Sequence, residues 1–174
     1  MSIIRRLNLG EGQFYRAVRL EALRESPDAF SSRYDDAVAR SDQSWADQAD
    51  SSAMGSDRAT FVAIEDRPVG LAALYRDESD LNVGELMQMW VAPVVRGKST
   101  ATDLLLEIFR WAGSNRFSQV KAEVMRNNAR ALRFYERFGF TVSADESVHS
   151  ASSVVLTKPV NMTADSTAFL RESP

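Results

Sequence analysis

The apolar positions of the chain fall into two periods, and together they mark out its elements. Ser2 to Leu7 reads as a short strand. From Glu11 to Glu25, Phe14, Ala17 and Val18 recur at i, i+3, i+4, with Ala22 and Leu23 one turn on; this predicts an amphipathic helix ended by Pro27-Asp28. The stretch from Ala29 to Asp57 is polar. Within it, Ser41 is placed to cap a short helix through Trp45 to Gln48, and Ser51 to Asp57 reads as a mobile loop. Thr60–Ile64 and Val69–Tyr75 form a hairpin around Glu65–Pro68. Glu85 to Val91 is an apolar strand, expected to be buried on both faces and to end at Pro93. A polar turn, Val95 to Ala101, then opens into a helix with Ala101, Leu104, Leu105, Ile108 and Ala112 on one stripe. Val120, Ala122 and Val124 alternate with Gln119, Lys121 and Glu123 in a half-buried strand. Asn128 to Phe138 is a helix with Ala131, Leu132, Tyr135 and Phe138 on one face, stopped by Gly139. Phe140–Ala144 and Ser152–Leu156 are closing strands. Residues 159–174 show no period and read as a loosely ordered tail. The order predicts one mixed α/β sheet with an antiparallel N-terminal part and one strand–helix–strand crossover.

With 174 residues there is room for one good core, so residues 1–158 are expected to form a single domain. Lys and Arg total 21 against 24 Asp and Glu, a net charge of −3, which argues against a dedicated nucleic-acid binder. Cysteine is absent, which removes disulfides, thiolate metal sites and a Cys nucleophile. His149 is the one histidine, so neither a catalytic triad nor a multi-His metal site is expected; it reads as a surface residue near a strand turn. Acid–base work falls to Glu, Asp, Tyr, Lys or water. No stretch approaches the roughly 20 apolar residues of a membrane span. Charge at Arg5-Arg6 interrupts any signal peptide, so a cytoplasmic protein is expected.

The turn from Val95 to Ala101 carries the candidate chemistry. A strand ends, backbone donors follow, and a helix start offers unpaired N–H groups and a partial positive charge. Arg96 and Lys98 flank it, so the local physics predicts a phosphate or diphosphate ligand. The spacing fits neither a P-loop nor a Rossmann fingerprint. Thr100-x-x-Asp103 also fits a helix capping box, and Arg-Gly-Lys is often only a solvated loop.

Met89-Trp90-Val91-Ala92-Pro93-Val94-Val95-Arg96-Gly97-Lys98-Ser99-Thr100-Ala101 resembles the acetyl-CoA motif of the GNAT (GCN5-related N-acetyltransferase) superfamily, whose core pattern is Arg/Gln-x-x-Gly-x-Gly/Ala. Asn128 to Phe140 resembles its second signature, Asn-x-x-Ala-x-x-x-Tyr-x-x-x-Gly-Phe, at all five fixed positions. The likeness covers Thr60 to Phe140; Ser99 stands where the pattern has its first glycine. The resemblance implies a GNAT-like domain, about seven strands in a mixed, mostly antiparallel sheet flanked by about four helices. It implies acetyl-CoA as cosubstrate, held by Met89, Val91, Arg96, Gly97, Lys98, Ser99, Thr100, Ala101, Thr102, Asn128 and Tyr135, with no metal.

Met89 and Val91 would pair their backbone with the pantetheine arm, while Trp90 points the other way into the core. Tyr135 would protonate the departing thiolate as general acid; its alternative is a core tyrosine. Asn128 is a coenzyme contact, a helix cap, or both. An alkylamine with a pKa near 10 needs a base. Glu85, sharing side-chain parity with Met89 and Val91, and Glu123, on the next strand, are the candidates beside a water chain; each is otherwise an exposed strand-end charge. Phe30, Tyr34, Trp45 and the 51–57 loop lie where such enzymes shape the acceptor pocket, or serve only packing. The expected activity is direct acetyl transfer from CoA to a primary amine, small molecule or peptide. The slight acidity favours a cationic acceptor, and the resemblance suggests a homodimer. The alternatives are a non-catalytic acyl-CoA-binding module and an unrelated phosphate-binding α/β domain.

Overall fold

A computed structural model describes residues 1–161. The elements are β1 (Ile3–Arg6), α1 (Gly12–Glu25), α2 (Tyr34–Val38), α3 (Asp42–Ala53), β2 (Arg58–Ile64), β3 (Pro68–Arg76), β4 (Val83–Val91), α4 (Thr100–Ser114), β5 (Gln119–Met125), α5 (Ala129–Phe138), β6 (Thr141–Val142) and β7 (Ser153–Pro159). The seven strands form one sheet in the order β1-β2-β3-β4-β5-β7-β6. Strands β1, β2 and β3 pair antiparallel, β4 and β5 pair parallel across the α4 crossover, and β7 returns antiparallel beside β5. A mixed, mostly antiparallel sheet is therefore present as expected. The parallel ladder is short, joining Val83–Leu86 to Gln119–Ala122.

Packing resolves the chain into two compact units. The first holds Met1–Tyr75 and Met87–Ile108; the second holds Arg76–Leu86 and the described chain from Phe109 on. In the first, Val18, Ala22 and Leu23 of α1 and Trp45 and Ala49 of α3 are buried with the apolar residues of β2 and β3. Gly70 is a close-approach site, because a Cβ there would lie 2.9 Å from the Leu104 side chain and 3.3 Å from the Trp90 carbonyl. In the second, Phe140 packs edge-on against Tyr135 and Phe109, with ring centroids 5.2 and 5.8 Å apart. Gly139 closes α5 at φ +110, the left-handed cap expected of a glycine there.

Several expectations need correction. Within the polar stretch, Tyr34–Val38 forms a short helix that was not expected there. Ser41 does cap α3, its side chain accepting from Ser44 N, but the helix runs to Ala53 and takes in the start of the predicted loop. Trp45, Ala49 and Ser52 at i, i+4, i+7 supply its buried stripe. Strand β4 is not buried on both faces: Gly84, Leu86 and Trp90 are buried, while Met87 is exposed. Strand β7 continues to Pro159, and the Val160 amide donates to Ser118 O. The remainder of the predicted tail, from residue 162, lies outside the described residues. His149 is half-buried and bonded at both ring nitrogens: Nδ1 accepts from Val155 N and Nε2 donates to Ser143 O.

Candidate active site

The turn between β4 and α4 is built by three local devices. Pro93–Val95 makes one 3₁₀ turn, and Lys98 N closes back on Val95 O at 3.2 Å. Gly97 then takes φ +81, where a Cβ carries strain, and nothing lies within 4 Å of the position a Cβ would fill. Ser99 starts the helix: its carbonyl accepts from Asp103 N at 2.8 Å and its hydroxyl donates to Asp103 Oδ2 at 2.8 Å. The expected Thr100–Asp103 capping box is not formed. Thr100 is buried, and its hydroxyl meets Ser2 Oγ instead. Among the described residues, the amides of Gly97, Ser99, Thr100, Ala101 and Thr102 have no acceptor. Lys98 and Thr102 are exposed beside them. Five open amides and a lysine at the start of a 15-residue helix suit a diphosphate.

Arg96 is not the free cation its position predicts. Its Nη2 bonds Glu25 Oε2 at 2.5 Å and Ser26 Oγ at 3.3 Å, and its Nε bonds Val91 O at 3.1 Å. The same Glu25 oxygen accepts from Trp90 Nε1 at 2.9 Å. Burial alone raises the Glu25 carboxyl, but bonds from Ser26, Trp90 and Arg96 outweigh it and hold it below its usual range. Arg96 is therefore a positioning residue that fastens the turn to the end of α1. Its bond to Val91 O also occupies one backbone group expected to meet the pantetheine arm. Met89 and Val91 are half-buried and Trp90 is buried, as the alternation requires.

The other candidates belong to the second unit. Tyr135 is 7% exposed and flanked by Phe134 and Phe140. Burial pushes its phenol well above the usual value, so it is protonated at neutral pH. Its hydroxyl has no partner among the described residues. Asn128 caps α5, its Oδ1 accepting from Ala131 N at 3.1 Å. Glu123 accepts from Ser153 Oγ at 2.5 Å. Glu85 pairs with Lys121 Nζ at 3.0 Å. Lys121 also bonds Asp77, a buried carboxylate that sequence reasoning missed. Asp77-x-Ser79 is the readable signal for that group, because Asp77 Oδ1 accepts from both the amide and the hydroxyl of Ser79, at 2.7 and 2.6 Å.

The sequence profile of the acetyltransferase (GNAT) family matches residues 19–140. The chain belongs to the GNAT acetyltransferase family. None of the curated proteins matches it. Solved structures share the GNAT fold at low identity. An acetyltransferase of the family from Streptococcus pneumoniae has a TM-score of 0.76 at 15% identity, covering 92% of this chain and 100% of its own. The PaiA N-acetyltransferase from Thermoplasma acidophilum, solved with coenzyme A, has a TM-score of 0.73 at 21% identity, covering 91% of this chain and 99% of its own. The GNAT domain of PAT from S. lividans has a TM-score of 0.71 at 16% identity, covering 91% of this chain and 90% of its own.

Within the GNAT reading, Ser99 is the residue that departs from the motif. Its hydroxyl is turned onto Asp103, so what it offers at the turn is its amide, as a glycine would. The carboxylate of Asp103 in the first turn opposes a bound anion. The GNAT family uses an acyl-CoA donor, and the open amides of residues 97 and 99–102 with Lys98 would fit the diphosphate of such a donor.

Proposed function

We propose that this protein is an acetyl-CoA-dependent N-acetyltransferase that moves the acetyl group directly onto a primary amine, in the cytoplasm. The row of open amides at Gly97 and Ser99–Thr102 beside exposed Lys98 carries the reading, together with family membership. The amine nitrogen attacks the thioester carbonyl carbon, the C–N bond forms and the C–S bond breaks. Tyr135 gives its proton to the departing sulfur; its burial keeps that proton in place until negative charge develops. The ammonium proton leaves to Glu85, Glu123 or a water held by one of them. Lys121 and Ser153 orient these two carboxylates.

The deciding assay is amine-dependent CoA thiol release over amino acids, polyamines, aminoglycosides and short peptides. Tyr135→Phe is expected to lower kcat by about 10²-fold or more while coenzyme affinity stays within a few-fold. Equal loss of binding and turnover makes Tyr135 a packing residue. Coenzyme binding without release for any amine supports a second reading, a non-catalytic acyl-CoA-binding module, which Ser99 at the position of the motif's first glycine motivates.

A further inference from the structure

Helix α1 carries a buried cation that no carboxylate among the described residues answers. Arg19 is 6% exposed. Its guanidinium lies 4.5 Å over the Phe30 ring, and its Nη1 is buried with no hydrogen-bond partner among the described residues. Burial lowers the proton affinity of Arg19; the nearby Tyr15 and Tyr75 oppose this, and the charge of Arg40 adds to it. A guanidinium stays ionised even so, unlike a buried lysine, which sheds its proton. The Phe30 ring satisfies one face of the charge but none of its N–H groups. A cation held away from water with an open N–H edge is the arrangement that an incoming anion completes.

The position of Arg19 relates it to the proposed chemistry. One helical turn earlier, Tyr15 donates its hydroxyl to Gln88 Oε1 at 2.7 Å and packs against Trp45 with ring centroids 5.4 Å apart. Gln88 holds φ +58, an uncommon conformation for a non-glycine, and directly precedes Met89. Arg19 therefore belongs to the cluster that fixes β4 just before its proposed coenzyme-binding residues. The nearby guanidinium of Arg40 is already engaged, bonding Ser44 and lying 3.9 Å over the Trp45 ring. Arg16, three residues back, also buries its Nε without a partner, but the residue is only half-buried.

We propose that Arg19 binds a carboxylate of the acetyl acceptor, so that the acceptor is an amino acid or another amine bearing a nearby carboxylate. The proposal rests on the N-acetyltransferase reading above and names its substrate class. One unanswered cation suits a monoanion; a phosphate dianion leaves a buried negative charge uncompensated. The fork geometry of a guanidinium suits a planar carboxylate. Arg19 with Arg40 also repels a polyamine, contrary to the cationic acceptor that the net charge of −3 favours.

The test is calorimetric titration of the full chain, with and without CoA, by each of the twenty amino acids, its C-terminal amide, and spermidine. At least one acid is expected to bind ~10–100-fold tighter than its amide, and Arg19→Gln to erase that preference. No preference for any acid over its amide, or tighter binding of spermidine than of every acid, overturns the proposal. The wild-type comparison needs no variant, and the melting temperature of Arg19→Gln, set against that of wild type, separates a folding defect from a recognition defect. An acid preference without thiol release in any reaction rejects the transferase reading and keeps the carboxylate site. Thiol release equal for acids and amides keeps the transferase and rejects the role of Arg19.

Discussion

Asp77 shows how much a single side chain carries in this protein. It is buried, bonds Lys121, and accepts at Oδ1 from Ser79 N, Ser79 Oγ and Asp80 N. The bond from Lys121, then those from Ser79 and Asp80, hold its carboxyl far below the usual range against the opposing effect of burial. Because the folded value is depressed, the carboxylate stabilises the fold at neutral pH, and that contribution fades as pH falls through the ordinary carboxylate range. Asp77→Asn is expected to cost about 1–3 kcal/mol at pH 7 by denaturant titration. The gap from wild type should narrow between about pH 5 and about pH 2. A constant gap across that range removes the ionised form from the account. Residue-scale features were unevenly legible in the sequence. The caps Ser41, Asn128 and Gly139 were readable because each acts on its own backbone within a few residues. The partners of Arg96 and Lys121 were not, since Glu25 and Asp77 lie 71 and 44 residues away along the chain.

At the scale of elements, the proposed anion-binding turn depends on the end of α1. Glu25 receives bonds from Arg96 and from Trp90, so one carboxylate ties the turn and the preceding strand to the same helix. Glu25→Gln keeps the shape but removes the charge that holds Arg96. Coenzyme affinity is expected to fall by about three- to tenfold, with Tyr135-dependent chemistry unchanged once coenzyme is saturating. A fall in kcat at saturation instead assigns Glu25 a part in turnover. Element positions followed closely from periodicity where an apolar stripe was continuous, as in α1, α4 and α5. They failed in the polar stretch, where α2 buries only Ala37 and the inward stripe of α3 includes a serine. They failed again for β4, because an apolar run does not say which of its residues face solvent; Met87 does.

For the whole molecule, a single mixed sheet with an antiparallel N-terminal part and one crossover was legible because the strand–helix–strand unit and the hairpin leave few arrangements. The acceptor was not, since recognition rests on Arg19, an ordinary surface-type residue until burial removes its water. Binding of coenzyme only to the folded chain predicts a melting temperature that rises with coenzyme concentration, equivalent to about 2.7 kcal/mol at a hundredfold excess over Kd. Thermal scans with CoA and with CoA lacking its diphosphate check this. Equal shifts by both compounds remove the diphosphate from recognition.

The lone imidazole gives these experiments an internal reporter. His149 joins Ser143 to Val155 through both ring nitrogens. With one histidine in the chain, its ring-proton resonance in an NMR spectrum needs no assignment. That signal watches the closing strands during any titration, so a rate change seen while it stays fixed originates elsewhere in the protein.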